Sequence, residues 1–173
     1  MAITKIQSES LNLADTYAFT GTVTGAGEAN KPAFAVKLSS AQGTNADTDT
    51  KLQWGTEIFD TDNCFDSSTN YRFTPTKAGK YFLYFKCGYQ SDFNHRQMRV
   101  MIYKNGSNVA EKNIFLINEE LDNFSSNLHF EVSAVVEANG SSDYFEAYAR
   151  MDYTGAILAN TQHTQFGGYL IST

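Results

Sequence analysis

Three histidines, two cysteines and a few acidic loops are the side chains of this chain with chemistry to offer. His95, His129 and His163 lie far apart, on separate strand-like or loop-like segments. No Gly-x-Ser-x-Gly elbow and no phosphate-cradling glycine loop accompanies them, so no nucleophile comes with a base, and a non-enzyme is expected. Asp47-Thr48-Asp49 and Asp60-Thr61-Asp62-Asn63 carry the hard oxygen donors that calcium takes. Neither has the glycine and distant glutamate of a complete calcium loop, so both read as solvated turns, as does Glu119-Glu120-Leu121-Asp122, and no cofactor is expected. The spacing of Cys64 and Cys87 suits no metal knuckle, and the reading favoured for them is two buried thiols. Phe93 followed by Asn94-His95-Arg96-Gln97 offers an aromatic platform with amide and guanidinium donors, which suits a glycan; an ordinary strand-entry loop reads the same.

The elements that must position these groups are strands. At 173 residues the chain fits one domain able to bury a sizeable core without metal or disulfide. Two prolines, 13 Phe and 10 Tyr, with abundant Thr, Ser, Asn and Gly, favour strands and turns, so the expected class is all-β. A net charge of −6 with no Lys/Arg cluster argues against nucleic acid and against an anionic membrane as partners. No window approaches a membrane span and the first residues lack a secretory core, so assembly in a cytoplasm is expected.

Residues 1–30 differ from the rest. Ile3, Ile6, Leu11 and Leu13 are scattered among polar residues ahead of a Gly/Thr hinge, Thr20 to Gly27, which suggests an N-terminal arm that docks on a partner. From Lys31 to Thr173 strand signals alternate with turns. Phe34, Val36 and Leu38 mark a first strand, followed by a long polar loop, Ser39 to Thr50. Short strands are expected around Leu52–Trp54, Glu57–Phe59 and Tyr71–Thr74. Longer ones are expected at Lys80–Gly88, Met98–Lys104, Asn108–Phe115, Ser126–Ala138, Asp143–Met151 and Gln165–Ser172. Asn105-Gly106 and Asn139-Gly140 supply the turns. About ten strands suit two packed antiparallel sheets. The segment Tyr81 to Cys87 is apolar on both faces: Tyr81, Leu83, Phe85 and Cys87 line one, while Phe82 and Tyr84 line the other between Lys80 and Lys86. Such a strand needs a second partner besides its own core.

The spacing of Trp54, Asp60, Phe65, Phe73 and Gly79-Lys80-Tyr81-Phe82-Leu83-Tyr84-Phe85 resembles the signature of the C1q globular head, whose jelly roll and three-fold assembly are shared with tumour necrosis factor (TNF). Gln165-Phe166-Gly167-Gly168-Tyr169-Leu170-Ile171 is similar to that family's closing strand, and Pro32-Ala33-Phe34 to its first. Trp54 and Leu83 stand where the family usually has Phe, and seven residues rather than six separate Phe65 from Phe73, changes that leave the fold expectation intact. The resemblance implies an antiparallel jelly-roll sandwich with Trp54, Phe65, Phe73, Gly79, Tyr81, Phe85 and Gly168 as its core signature. It also implies a homotrimer in which Tyr84, His129 and Phe166 approach the three-fold axis and Phe82 joins the interface. Three copies of His129 at an axis invite a metal, but a packed imidazole is the simpler reading without a second ligand nearby.

A fold hosts many functions, so the role is read from what surrounds it. No collagen-like stalk precedes the head, and the opening segment is similar to the lead-in segments of tailed-phage virion proteins. The expectation is a bacteriophage virion protein assembled in the host cytoplasm: a trimeric capsid decoration (cement) protein whose arm residues Ile3, Ile6, Leu11 and Leu13 contact the major capsid protein. A receptor-binding head at a tail-fibre tip, and a secreted recognition module for a glycan such as one on a host surface, are the alternatives.

Overall fold

The computed structural model describes residues 30–91, 97–115, 126–160 and 162–173. The arm residues Ile3, Ile6, Leu11 and Leu13 lie outside the described residues, as do the loop residues Asn94, His95 and Arg96 and the acidic run Glu119 to Asp122.

The described chain is antiparallel β-structure in thirteen strands: β1 (Ala33–Lys37), β2 (Gln42–Thr44), β3 (Thr50–Lys51), β4 (Thr56–Asp60), β5 (Phe65–Asp66), β6 (Arg72–Phe73), β7 (Ala78–Ser91), β8 (Gln97–Lys104), β9 (Ser107–Phe115), β10 (Ser126–Asn139), β11 (Phe145–Met151), β12 (Gly155–Ile157) and β13 (Gln165–Ser172). The excess over the ten expected consists of short pieces. The polar stretch after β1 holds β2 and β3, and β12 follows β11. Such segments are too brief for an alternation of faces to be read from sequence. Leu52 and Trp54 are buried but lie just after β3 rather than in a strand.

Two sheets form the sandwich. In the first, β7 pairs along its whole length with β10, and its other edge is shared by β13 and β12; β1 and β4 continue beyond β13, and β2 beyond β12. The second runs β5-β6-β11-β8-β9, with β3 also on β11. The core lies between them. Phe34 stacks on Phe73 at 4.2 Å between centroids and meets Phe65 and Phe166; Trp54 meets Phe85 edge to face at 5.7 Å. Of the signature residues, Trp54, Phe65, Phe73, Tyr81 and Phe85 are buried in this cluster. Gly79 has φ 152° and faces the Ser172 carbonyl so closely that a Cβ would stand 2.4 Å from it. Gly168 is packed against Leu83 and the Phe82 carbonyl.

Turn chemistry follows the residue types. Asn105 and Gly106 both have positive φ, 51° and 79°, which closes the β8–β9 hairpin with the twist its strands need. Asn139 Oδ1 accepts from the backbone N–H groups of Ser141, Ser142 and Asp143, tying the turn after β10. Asp66 does the same for Ser68, Thr69 and Asn70, and those N–H groups hold its carboxyl well below the usual carboxylate range. Cys64 and Cys87 are both buried and free, and burial pushes the Cys87 thiol far up.

Candidate self-association face

The outward face of the first sheet carries the candidate site. Because β7 sends Tyr81, Leu83, Phe85 and Cys87 into the core, Phe82, Tyr84 and Lys86 point away from it. Register then decides what stands beside them. Val135 of β10 lies across from Phe82, Phe82 across from Tyr169 of β13, and Tyr169 across from Ala33 of β1. One step along, Ser133, Tyr84, Gly167, Ala35 and Phe59 line up across five strands, a width of about 20 Å at the usual strand spacing.

These two rows are mostly apolar and partly open, with Ala35 and Gly167 buried in the second. Val135 is 63% exposed, Phe59 49% and Tyr169 39%, with Ile171 farther along β13 at 46%. The rings of Phe82 and Tyr169 are 5.6 Å apart, and those of Phe82 and Tyr84 6.5 Å. Burial, then the Glu131 carboxylate, pushes the Tyr84 hydroxyl above its ordinary range, so it stays neutral. The flanking rows are charged. Glu137 lies opposite Lys80 at one end, and Glu131 opposite Lys86 at the other. An apolar centre bounded by a polar rim is the anatomy of a protein–protein contact rather than of a solvent face.

The residues expected at the trimer interface do not all lie here. Phe82 and Tyr84 stand at the centre of the face. His129 is exposed at its far end, stacked on His163 at 4.4 Å between centroids. The loop carrying His163 is tied down where Thr164 Oγ1 accepts from Gly88 N–H at 3.0 Å. Glycine is needed at 88, since a Cβ there would meet the His163 Cβ at 2.5 Å. Although the residue as a whole is exposed, desolvation of its ring where it stacks, and then His163, lowers the His129 pKa.

Phe166 does not face outward. It is fully buried, with its ring against Phe34, Trp54, Phe65 and Phe85, because it stands in register with the core residue Phe85. The outward positions of β13 are Gly167, Tyr169 and Ile171. Tyr169 and Val135, which sequence reading missed, are the most exposed members of the central row. Their signal was present: each is an apolar residue on the polar side of its strand's alternation.

Among the described residues, no group of three or more His, Cys, Asp or Glu side chains is placed to hold a metal. Asp47 and Asp49 reach Arg150 at 3.3 and 3.8 Å, and the Tyr103 hydroxyl donates to Asp49 at 2.9 Å. Asp60 accepts from the N–H of Phe65 at 2.7 Å. The carboxylates of Asp47, Asp49 and Asp60 are therefore engaged within the chain.

Solved structures resemble this sandwich closely in shape and hardly at all in sequence. Murine APRIL at pH 8.0 matches with a TM-score of 0.61 at 9% identity, over 80% of this chain and 98% of that one. Eiger TNF from S. frugiperda matches at 0.60 and 9%, over 81% and 92%. The chain has a TNF-type jelly-roll fold. At such identity the likeness shows the fold alone; no family model matches the chain, and no curated protein does.

The same comparison corrects the expectation of a bacteriophage virion protein decorating a capsid. APRIL and Eiger TNF are cytokine-like rather than virion proteins. That expectation rested on the opening residues, 1–29, which lie outside the described residues, so no part of the folded domain carries it.

Proposed function

We propose that this protein is a non-catalytic recognition head that works as a homotrimer, associating through the outward face of its first sheet. The observation that carries the reading is the cluster of exposed and half-buried apolar side chains Val135, Phe82, Tyr169, Tyr84 and Phe59, set in two adjacent cross-strand rows between two charged rows. A face with this much exposed aromatic and aliphatic surface is costly in water and favourable when covered by a second copy. Three-fold rather than two-fold closure is what the resemblance to C1q and TNF heads implies. The interface residues assigned are Phe82, Tyr84, Tyr169 and Val135, with His129 at the rim. A trimer presents three copies of any binding loop at fixed spacing, so weak individual contacts add through effective concentration.

Sedimentation or light scattering tests the reading. The wild-type chain is expected at three times its 19.2 kDa mass. Val135→Asp places a charge from each copy at a dry contact and is expected to give a folded monomer. A wild-type protein that remains monomeric at micromolar concentration sinks the proposal.

A further inference from the structure

A cleft elsewhere on the chain has the chemistry of a small-molecule site. Its volume is about 370 Å³, and Ser39, Ser40, Gln42, Gln53, Gly55 and Tyr71 line it, a size typical of ligand pockets. Its walls are braced. Gln42 donates from Nε2 to the Lys51 carbonyl at 2.8 Å, and its Oε1 accepts from the Gln53 N–H at 2.8 Å. Ser39 Oγ and Thr56 Oγ1 share a hydrogen bond at 2.9 Å. Gly55 leaves room for Ser39, since a Cβ there would lie 2.5 Å from Ser39 Oγ.

Tyr71 is the anomaly. Among the described residues four non-glycine positions have positive φ, and three of them, Asp47, Asn63 and Asn105, are the Asp/Asn types that tolerate it. Tyr71, at φ 48°, is a bulky aromatic in a conformation that costs free energy, and such outliers gather at functional sites. Its half-buried ring packs on the core and lines the cleft. Among the described residues, the Tyr71 hydroxyl, the Gln53 amide and the Ser40 hydroxyl have no protein hydrogen-bond partner.

We infer that this cleft binds a neutral saccharide. No charged side chain lines it, which argues against phosphates, carboxylates and ammonium groups as ligands. Beyond Tyr71 and Ala41 the lining offers little apolar surface for a lipid. Hydroxyl and amide groups both donate and accept, as sugar hydroxyls do, while an aromatic face covers the C–H face of a pyranose. The inference does not rest on self-association.

Saturation-transfer NMR on the full chain tests it with glucose, galactose, mannose and N-acetylglucosamine, and with the linear tetramers of glucose and of N-acetylglucosamine. Fluorescence of Trp54, the sole tryptophan, placed between Gln53 and Gly55 in the chain, gives a second readout. Saturable binding is expected for at least one sugar, weakened about tenfold by Tyr71→Ala and by Gln53→Ala and unchanged by His163→Ala. A tetramer that binds more tightly than its monomer identifies a glycan chain as the source; equal binding identifies a free sugar. Failure of all six sugars overturns the inference, as does wild-type binding by both cleft variants with circular dichroism intact. Mass measured on the same samples separates the two proposals: a monomer that binds sugar overturns only the trimer, and a trimer that binds none overturns only the cleft.

Discussion

Gly167 lies directly across from Tyr84, and a Cβ at 167 would stand 2.5 Å from the Tyr84 hydroxyl oxygen. The missing side chain is what lets the tyrosine ring lie down over β13 and join Phe82 in one continuous apolar surface. Without it the ring would have to lift off the sheet into the space a second copy would fill.

Gly167→Ala is therefore expected to disturb association more than folding. The tyrosine is half-buried and free to turn outward, so the loss of stability should be modest, about 1–2 kcal/mol. The proposed trimer should dissociate at concentrations where the wild type stays associated. Urea unfolding and sedimentation on the same variant check both halves.

Phe166→Ala should behave in the opposite way. The ring is fully buried among Phe34, Trp54, Phe65 and Phe85, and its removal leaves a cavity that costs about 3–5 kcal/mol. The expected result is a large fall in urea midpoint, with whatever remains folded still associating. A variant that kept its stability but became monomeric would return Phe166 to the interface.

The His129–His163 stack sets a pH dependence whose sign follows from His129. Its folded pKa is lowered by burial first and by His163 second, while Lys86 and Glu131 share the same recess. In the unfolded chain the group takes a proton near its ordinary value of about 6.5. As pH falls through that value the unfolded state binds the proton first, so the contribution is complete above it and is lost as pH falls through the lower folded value. His129→Gln is expected to flatten the decline in urea midpoint between about pH 7 and pH 5. An identical slope in the variant would remove His129 from the account.

Much of the domain could be read from the chain because the long strands alternate. Leu83 and Phe85 on β7, Phe130 and Val132 on β10, and Ala147 and Ala149 on β11 are buried as their periodicity requires. Asn105-Gly106 announces its turn for the same local reason, since few residue pairs accept two positive φ angles in succession. The short strands β2, β3, β5, β6 and β12 were less legible. Two or three residues carry no period, and their pairing is settled by long-range contacts such as β12 on β7.

The sequence by itself determined that β7 has two apolar faces, since alternation depends only on which residues follow one another. Which residues share each face across strands was decided by tertiary structure. The β7–β13 register sets Phe166 beside Phe85 and Gly167 beside Tyr84, and a slip of one residue would exchange them. Phe166 and Tyr169 differ by an odd number of positions, so they must point to opposite sides of the sheet. Pairing with β7 sends Phe166 into the core and leaves Tyr169 on the open face.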